Sequence, residues 1–136
     1  MKIKYDANIL KYMSLFESLT RSKLKDCIVN ERLLFVVEPN EIGKAIGKNG
    51  SNVHRLEGIL RKKIRIVEFS PEVCQFVRNM IYPLQAKDVN EENGVVTITG
   101  PDTKTKGLMI GRDAKNLNLL KDIVRRYFSI EDIKVV

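Results

Sequence analysis

The stretch Ile46-Gly47-Lys48-Asn49-Gly50-Ser51-Asn52-Val53 decides how the rest of this 136-residue sequence is read. Two glycines bracket two polar residues, with an isoleucine just ahead and an aliphatic residue three positions behind. Glycine has no Cβ, so the turn admits positive φ and lets another backbone come close. Upstream, 41–46 reads as a short helix; downstream, 51–61 reads as a second, with Val53, Leu56 and Leu60 on one face. The turn thus offers backbone N–H groups at a helix N-terminus, an arrangement that favours anions and above all phosphate. Lys48 adds a positive charge at the same place.

Outward from this turn the elements fall into order. Residues 6–20 predict a helix: Asp6 is placed to cap it, and Ile9, Met13, Phe16 and Leu19 keep the helical period. Residues 24–30 and 33–37 predict two strands joined by the turn Asn30-Glu31-Arg32, hence an antiparallel hairpin. Residues 64–69 alternate and close the unit as a third strand. The order helix, strand, strand, helix, helix, strand then starts again. Ser70-Pro71-Glu72 reads as a helix start, with Ser70 as cap and Pro71 in the first position, followed by the apolar face Val73, Phe76, Val77 and Met80. Pro83 ends that helix. Strands are expected over 86–91 and 95–99 around the hairpin signal Asn93-Gly94. A short helix over 103–110, the loop Gly111-Arg112-Asp113-Ala114, a helix carrying Leu117, Leu120, Val124 and Tyr127, and a strand over 133–136 complete the second unit.

The two halves also match residue by residue. Ile110-Gly111-Arg112-Asp113-Ala114-Lys115-Asn116-Leu117 repeats the isoleucine, the first glycine, the asparagine and the closing aliphatic position of the first stretch. We therefore expect two domains, 1–70 and 71–136, with no Gly/Ser-rich linker between them. The second loop departs in two places. Ala114 replaces the last glycine, where a Cβ costs about 1 kcal/mol if the position needs positive φ. Asp113 sets a carboxylate where a phosphate would lie.

Composition narrows the function. With 43% hydrophobic and 30% charged residues the chain has a globular balance, which argues against wholesale disorder. No run approaches the roughly 18 apolar residues of a membrane helix, and the charged start Met1-Lys2-Ile3-Lys4 lacks a signal-peptide core, so a cytoplasmic protein is expected. Cys27 and Cys74 sit in apolar patterns and are expected as reduced, buried thiols. His54 is the single histidine and has no Cys or His close by, so no metal site, catalytic residue or cofactor is expected, and the chain is not expected to be an enzyme. His54 itself is expected at the surface near the first loop. The net charge of +7 points to a polyanionic partner. Residues 1–70 hold 14 basic and 8 acidic side chains, a balance of +6, while 71–136 hold 10 and 9, a balance of +1. The first unit is thus the expected stronger binder. Nine aromatic residues, none of them Trp and most on apolar faces, do not make a stacking platform for bases.

The Gly-Lys-Asn-Gly turn between two helices resembles the GXXG loop of the KH domain, and the strand pair ahead of the helices resembles its type II form. Leu15-Phe16-Glu17-Ser18-Leu19-Thr20, Asp26-Cys27-Ile28-Val29, Leu33-Leu34-Phe35-Val36-Val37 and Ala45-Ile46-Gly47-Lys48-Asn49-Gly50 are similar to the archaeal NusA family of transcription termination and antitermination factors. The stretch 110–117 is similar to the second KH module of that family, and the resemblance runs over about 4–136. It implies an α+β fold of two tandem type II KH domains, each a three-stranded mixed sheet with helices on one face. It also implies single-stranded RNA as partner, about four nucleotides per module, with the backbone over the loop. Carried over, Gly47, Lys48, Asn49 and Gly50 contact phosphate and Ile46 lines the cleft. Gly111, Arg112, Asp113 and Ala114, with Ile110, take those places in the second unit. Lys44 and Arg55 flank the first loop; Lys104, Lys106 and Lys115 gather near the second; Arg61, Lys62 and Lys63 follow the second helix as a possible grip on the strand. Bacterial relatives carry a polymerase-binding domain and an OB-type domain ahead of the KH pair; neither is expected in this protein. The resemblance admits the RNA polymerase elongation complex as a protein partner and leaves a monomer as the expected state. Two other readings of the same pattern are a KH protein of rRNA maturation or ribosome assembly, and a scaffold that binds polymerase with RNA secondary.

Overall fold

Residues 24–29 and 33–37 are rich in branched and aromatic side chains and only three residues apart, and they do form a hairpin. In the computed structural model, which describes residues 5–136, the elements are α1 (Ala7–Thr20), β1 (Leu24–Val29), β2 (Leu33–Val37), α2 (Ile42–Ile46), α3 (Ser51–Leu60) and β3 (Ile64–Glu68) in a first unit ending at Ser70. A second unit, Pro71–Val136, holds α4 (Val73–Ile81), β4 (Asp88–Glu92), β5 (Val95–Thr99), α5 (Thr103–Ile110), α6 (Lys115–Arg125) and β6 (Asp132–Val135). Residues 1–4, read above as free of a signal-peptide core, lie outside the described residues.

Each unit has one three-stranded mixed sheet. In the first the order is β1-β2-β3, with β1 antiparallel and β3 parallel to β2. The second repeats this as β4-β5-β6. The parallel partner can arrive only after a crossover, and the two helices around the glycine loop supply it. The fold is therefore α+β with tandem sheets, as the resemblance implied.

The first core forms where helices meet the sheet. Phe16 of α1, Ala45 of α2 and Leu56 of α3 are fully buried against Leu33, Phe35 and Val37 of β2. Phe16 stacks on Phe35 with ring centroids 4.3 Å apart. Val53 and Leu60 are half-buried and pack against the same cluster. All five residues of β2, the central strand, are buried. Thr20, Ser22 and Asp26 are polar yet buried; Asp26 is fully so, at a register shift in β1, and its Oδ1 accepts hydrogen bonds from Tyr5 Oη at 2.7 Å and from the Cys27 backbone N–H at 2.8 Å. A buried carboxylate is tolerable only with such donors. In the second unit Phe76 of α4 meets Tyr127 edge-on, centroids 5.5 Å apart, and β5 alternates cleanly, with Val96 and Ile98 inward.

Three local expectations need correction. Ser70 does not cap α4; the helix begins at Val73, and its N-cap is Glu72 in an extended conformation without a side-chain cap bond. Pro71 stands two residues ahead of the first helical residue, so it shapes the approach instead of opening the helix. The strand expected from 86 starts at Asp88. Cys74 is half-buried, not buried, while Cys27 is buried. Asp6 does cap α1, accepting from the Ile9 N–H at 2.9 Å.

Candidate nucleic-acid interface

The first loop is built from a backbone that only a particular residue order permits. Gly47 sits at φ 78°, ψ 170°, a region essentially reserved for glycine. Asn49 follows at φ 55° and Gly50 at φ 73°, both left-handed, before Ser51 turns into α3. Asparagine and glycine are the residues that occupy left-handed conformations most readily. The Gly50 N–H closes the turn on the Gly47 carbonyl at 3.2 Å. A Cβ on Gly47 would lie 2.8 Å from Ser51 Oγ and 3.0 Å from Asn52 Cγ, so a side chain there would have to displace Ser51 and Asn52 in addition to the backbone strain.

The second loop has the same backbone. Gly111 lies at φ 76°, ψ 173°, Asp113 at φ 55° and Ala114 at φ 59°. Ala114 thus occupies the left-handed position that Gly50 fills in the first unit, and it carries the cost anticipated from sequence. The Ala114 N–H bonds the Gly111 carbonyl at the same 3.2 Å. The loop geometry survives the loss of the last glycine because a Cβ at that position meets little: on Gly50 it would stand 3.7 Å from His54 Nε2, an ordinary contact.

One pair of residues in this machinery carries no weight in the sequence reading beyond its recurrence. Asn52 Nδ2 donates to the Lys44 carbonyl at 3.1 Å, and Asn116 Nδ2 donates to the Leu108 carbonyl at 2.9 Å. Each asparagine reaches back eight residues and ties the helix after the loop to the end of the helix before it. Recurrence at the same offset in both units was the signal; its meaning appears only in three dimensions.

Neither α3 nor α6 has a side chain capping its first turn; the Ser51 and Lys115 N–H groups close on the Lys48 and Arg112 carbonyls, and an uncapped helix start favours an anion. Lys48 and Asn49 are exposed, Ile46, Gly47 and Gly50 half-buried. Lys44 is exposed one turn before the loop, with Nζ 3.5 Å from Glu41 Oε2. The Glu41 carboxyl is held below its usual range by the Lys23 backbone N–H, at 2.7 Å, and by Lys44, and so stays charged. Arg55 and His54 are exposed on the first turns of α3. In the second unit Arg112 and Lys115 are exposed beside the loop, and Lys104 is exposed at the far end of α5. Lys106 is half-buried with its aliphatic stem laid over Gly100. Arg61, Lys62 and Lys63 are exposed but lie beyond the other end of α3. At 1.5 Å per residue, about 15 Å of helix separates them from the Gly47–Gly50 turn, so one phosphate cannot touch both. Leu108 replaces Lys44 at the matching place in the second unit and is 51% exposed.

Among the described residues no helix is long and apolar enough to cross a membrane.

Comparison with known proteins agrees with this geometry. The family profile of the KH domain matches residues 11–90. A protein of Methanococcus vannielii called "Probable transcription termination protein NusA" is 33% identical over 100% of this chain and 81% of its own length. Proteins of the same name from Methanocaldococcus jannaschii and Halobacterium salinarum are 32% and 30% identical, each over 99% of this chain, and over 76% and 99% of their own lengths. The crystal structure of APE1850 aligns over 97% of this chain and all of its own, with a TM-score of 0.76 and 30% identity.

Proposed function

We propose, from the premise that this chain belongs to the KH-domain family and within it to the archaeal NusA-like proteins, that it binds single-stranded RNA as a factor of transcription and takes part in termination or antitermination. The observation that carries the reading is the Gly47–Gly50 turn. Its backbone is fixed by two left-handed residues and a glycine-only conformation, clamped by Asn52, and set at the uncapped start of α3. Phosphate oxygens of an RNA strand are the acceptors this arrangement suits, and Lys48 supplies the charge. The protein binds without chemistry on the RNA, as a monomer in the cytoplasm.

Two finer features belong to the same reading. The second loop is preformed with the first loop's backbone, so it takes part, more weakly, with Arg112 and Lys115 offsetting Asp113. The RNA polymerase elongation complex is the protein partner, and exposed Leu108 gives the second unit an apolar contact that the first, with Lys44, lacks.

The test is a double variant, Lys48→Asp with Asn49→Asp, which puts two carboxylates on the exposed turn. RNA affinity should fall at least tenfold with the melting temperature unchanged, since neither side chain is buried. Unchanged affinity refutes the assignment of the loop. Crosslinking in cells separates the roles: nascent transcripts support transcription, whereas precursor rRNA alone supports rRNA maturation.

A further inference from the structure

His54 is the single histidine of the chain, and the fold sets it against the first loop. It is exposed on α3, four residues after Gly50. Side chains of a helix tilt toward its N-terminus, so a residue four places on lies over the one before it. The imidazole follows this rule. A Cβ built on Gly50 would stand 3.7 Å from His54 Nε2 and 3.8 Å from its Cδ2, so that edge of the ring faces the loop glycine. Among the described residues neither ring nitrogen has a hydrogen bond or an ion pair, and neither has Lys48 or Arg55 beside it. Lys44, by contrast, is paired with Glu41. The second unit is built differently here. Ala114 stands in the place of Gly50 and Asn118 in that of His54, so the glycine and the imidazole are lost together.

We infer that His54 is a phosphate ligand of the first unit, and that it makes RNA binding by this unit, and not by the second, depend on pH. The inference rests on the RNA-binding reading above. A phosphate on the Gly47–Gly50 turn comes within reach of Nε2, because the ring already leans over Gly50. Neutral imidazole offers one N–H; the doubly protonated ring is a cation and donates from both nitrogens, and imidazole makes this change between about pH 5 and 8. A bound anion favours the charged ring, and by reciprocity the charged ring strengthens the contact, so affinity rises as pH falls. The other charged groups on α3 and on the elements packed against it are Arg55 and Glu57 on α3, Lys48 on the loop, Glu41 and Lys44 flanking or within α2, Lys11 and Glu17 on α1, and Arg65 and Glu68 on β3. Lys and Arg stay cationic and Glu anionic over that range, so within this set the imidazole alone changes charge.

The experiment measures the untagged full chain against a ten-nucleotide RNA of randomised sequence carrying a pH-insensitive rhodamine label, by anisotropy at constant ionic strength, with a melting curve at each pH. The wild type should bind about two- to fivefold tighter near pH 5.5 than near pH 8, the worth of one exposed charge pair. His54→Asn, which installs the residue of the second unit, should match the wild type near pH 8 and lose the gain on acidification. His54→Lys should hold the tighter binding at both pH values. Melting temperatures should be unchanged at each pH, since the side chain is exposed. The imidazole proton resonances come from one histidine and give a direct titration, and saturating RNA should move its midpoint upward. A wild-type affinity that is flat with pH, a His54→Asn variant that keeps the pH dependence, or a midpoint that RNA leaves in place overturns the inference. If the Lys48→Asp, Asn49→Asp variant then still loses affinity, the loop reading stands. If that variant binds normally, the reading fails and takes the inference with it.

Discussion

Alanine at the two glycines of the first loop should have very different consequences, although from sequence alone the two positions look equivalent. Gly47 stands at φ 78°, ψ 170°, where a non-glycine residue costs about 1–3 kcal/mol. Its new Cβ would also lie 2.8 Å from Ser51 Oγ and 3.0 Å from Asn52 Cγ. Asn52 would have to swing away and lose its 3.1 Å bond to the Lys44 carbonyl, a further ~0.5–1.5 kcal/mol. Gly47→Ala should therefore destabilise the first unit by about 1.5–4.5 kcal/mol. Gly50 stands at φ 73°, ψ 18°, where alanine costs about 1–2 kcal/mol in the folded chain but recovers about 0.4–1 kcal/mol by restricting the unfolded one. Its Cβ meets nothing closer than 3.7 Å. Gly50→Ala should cost about 1 kcal/mol or less, and Ala114 shows that the protein itself accepts alanine at the matching place. Urea titration followed by circular dichroism measures both, with NMR amide spectra identifying which unit unfolds. Equal costs for the two substitutions, or a Gly47→Ala cost below about 0.5 kcal/mol, would refute the argument that crowding and the glycine-only conformation fix the loop.

Ala114→Gly should leave the fold intact and shift the stability of the second unit by less than about 1 kcal/mol, since relief of left-handed strain and greater unfolded-chain freedom oppose each other; urea titration checks it. The affinity for single-stranded RNA should fall with salt at about −0.7 in log K per phosphate neutralised, giving a slope of about −2 to −3.5 for three to five phosphates; a slope near zero would favour a protein scaffold instead. Asp102 accepts from the Thr105 N–H at 2.7 Å, and that bond holds its carboxyl below the usual range. Its folded value is depressed, so its contribution is present above the unfolded value near ~3.9 and is lost as pH falls through the lower folded value. Asp102→Ala should thus lower the melting temperature at pH 7 and remove that part of the acid-side decline, read by melting at stepped pH.

Much of this protein is written locally. The β1–β2 hairpin, the Asn93-Gly94 turn with both residues at positive φ, the Asp6 cap and the two glycine loops depend on neighbours a few residues apart, and those neighbours are legible in a string. The repeat adds the order of elements, and with it the sheet topology. The helix start at Ser70 misled because Ser, Pro and Glu satisfy the local rule while Glu72 is itself in an extended conformation and the helix begins only at Val73. What only the tertiary structure decided depends on contacts between distant residues. Asp26 can be buried because Tyr5, 21 residues away, donates to it. Asn52 and Asn116 matter because the turn folds two helices back within hydrogen-bond reach. Arg61, Lys62 and Lys63 follow the second helix in the sequence, and the distance that its ten residues set between them and the loop is a property of the folded helix. The contrast between Gly47, where a side chain would have to displace its neighbours, and Gly43, which has room it does not use, rests on what surrounds each Cα, and surroundings exist only once the chain has folded.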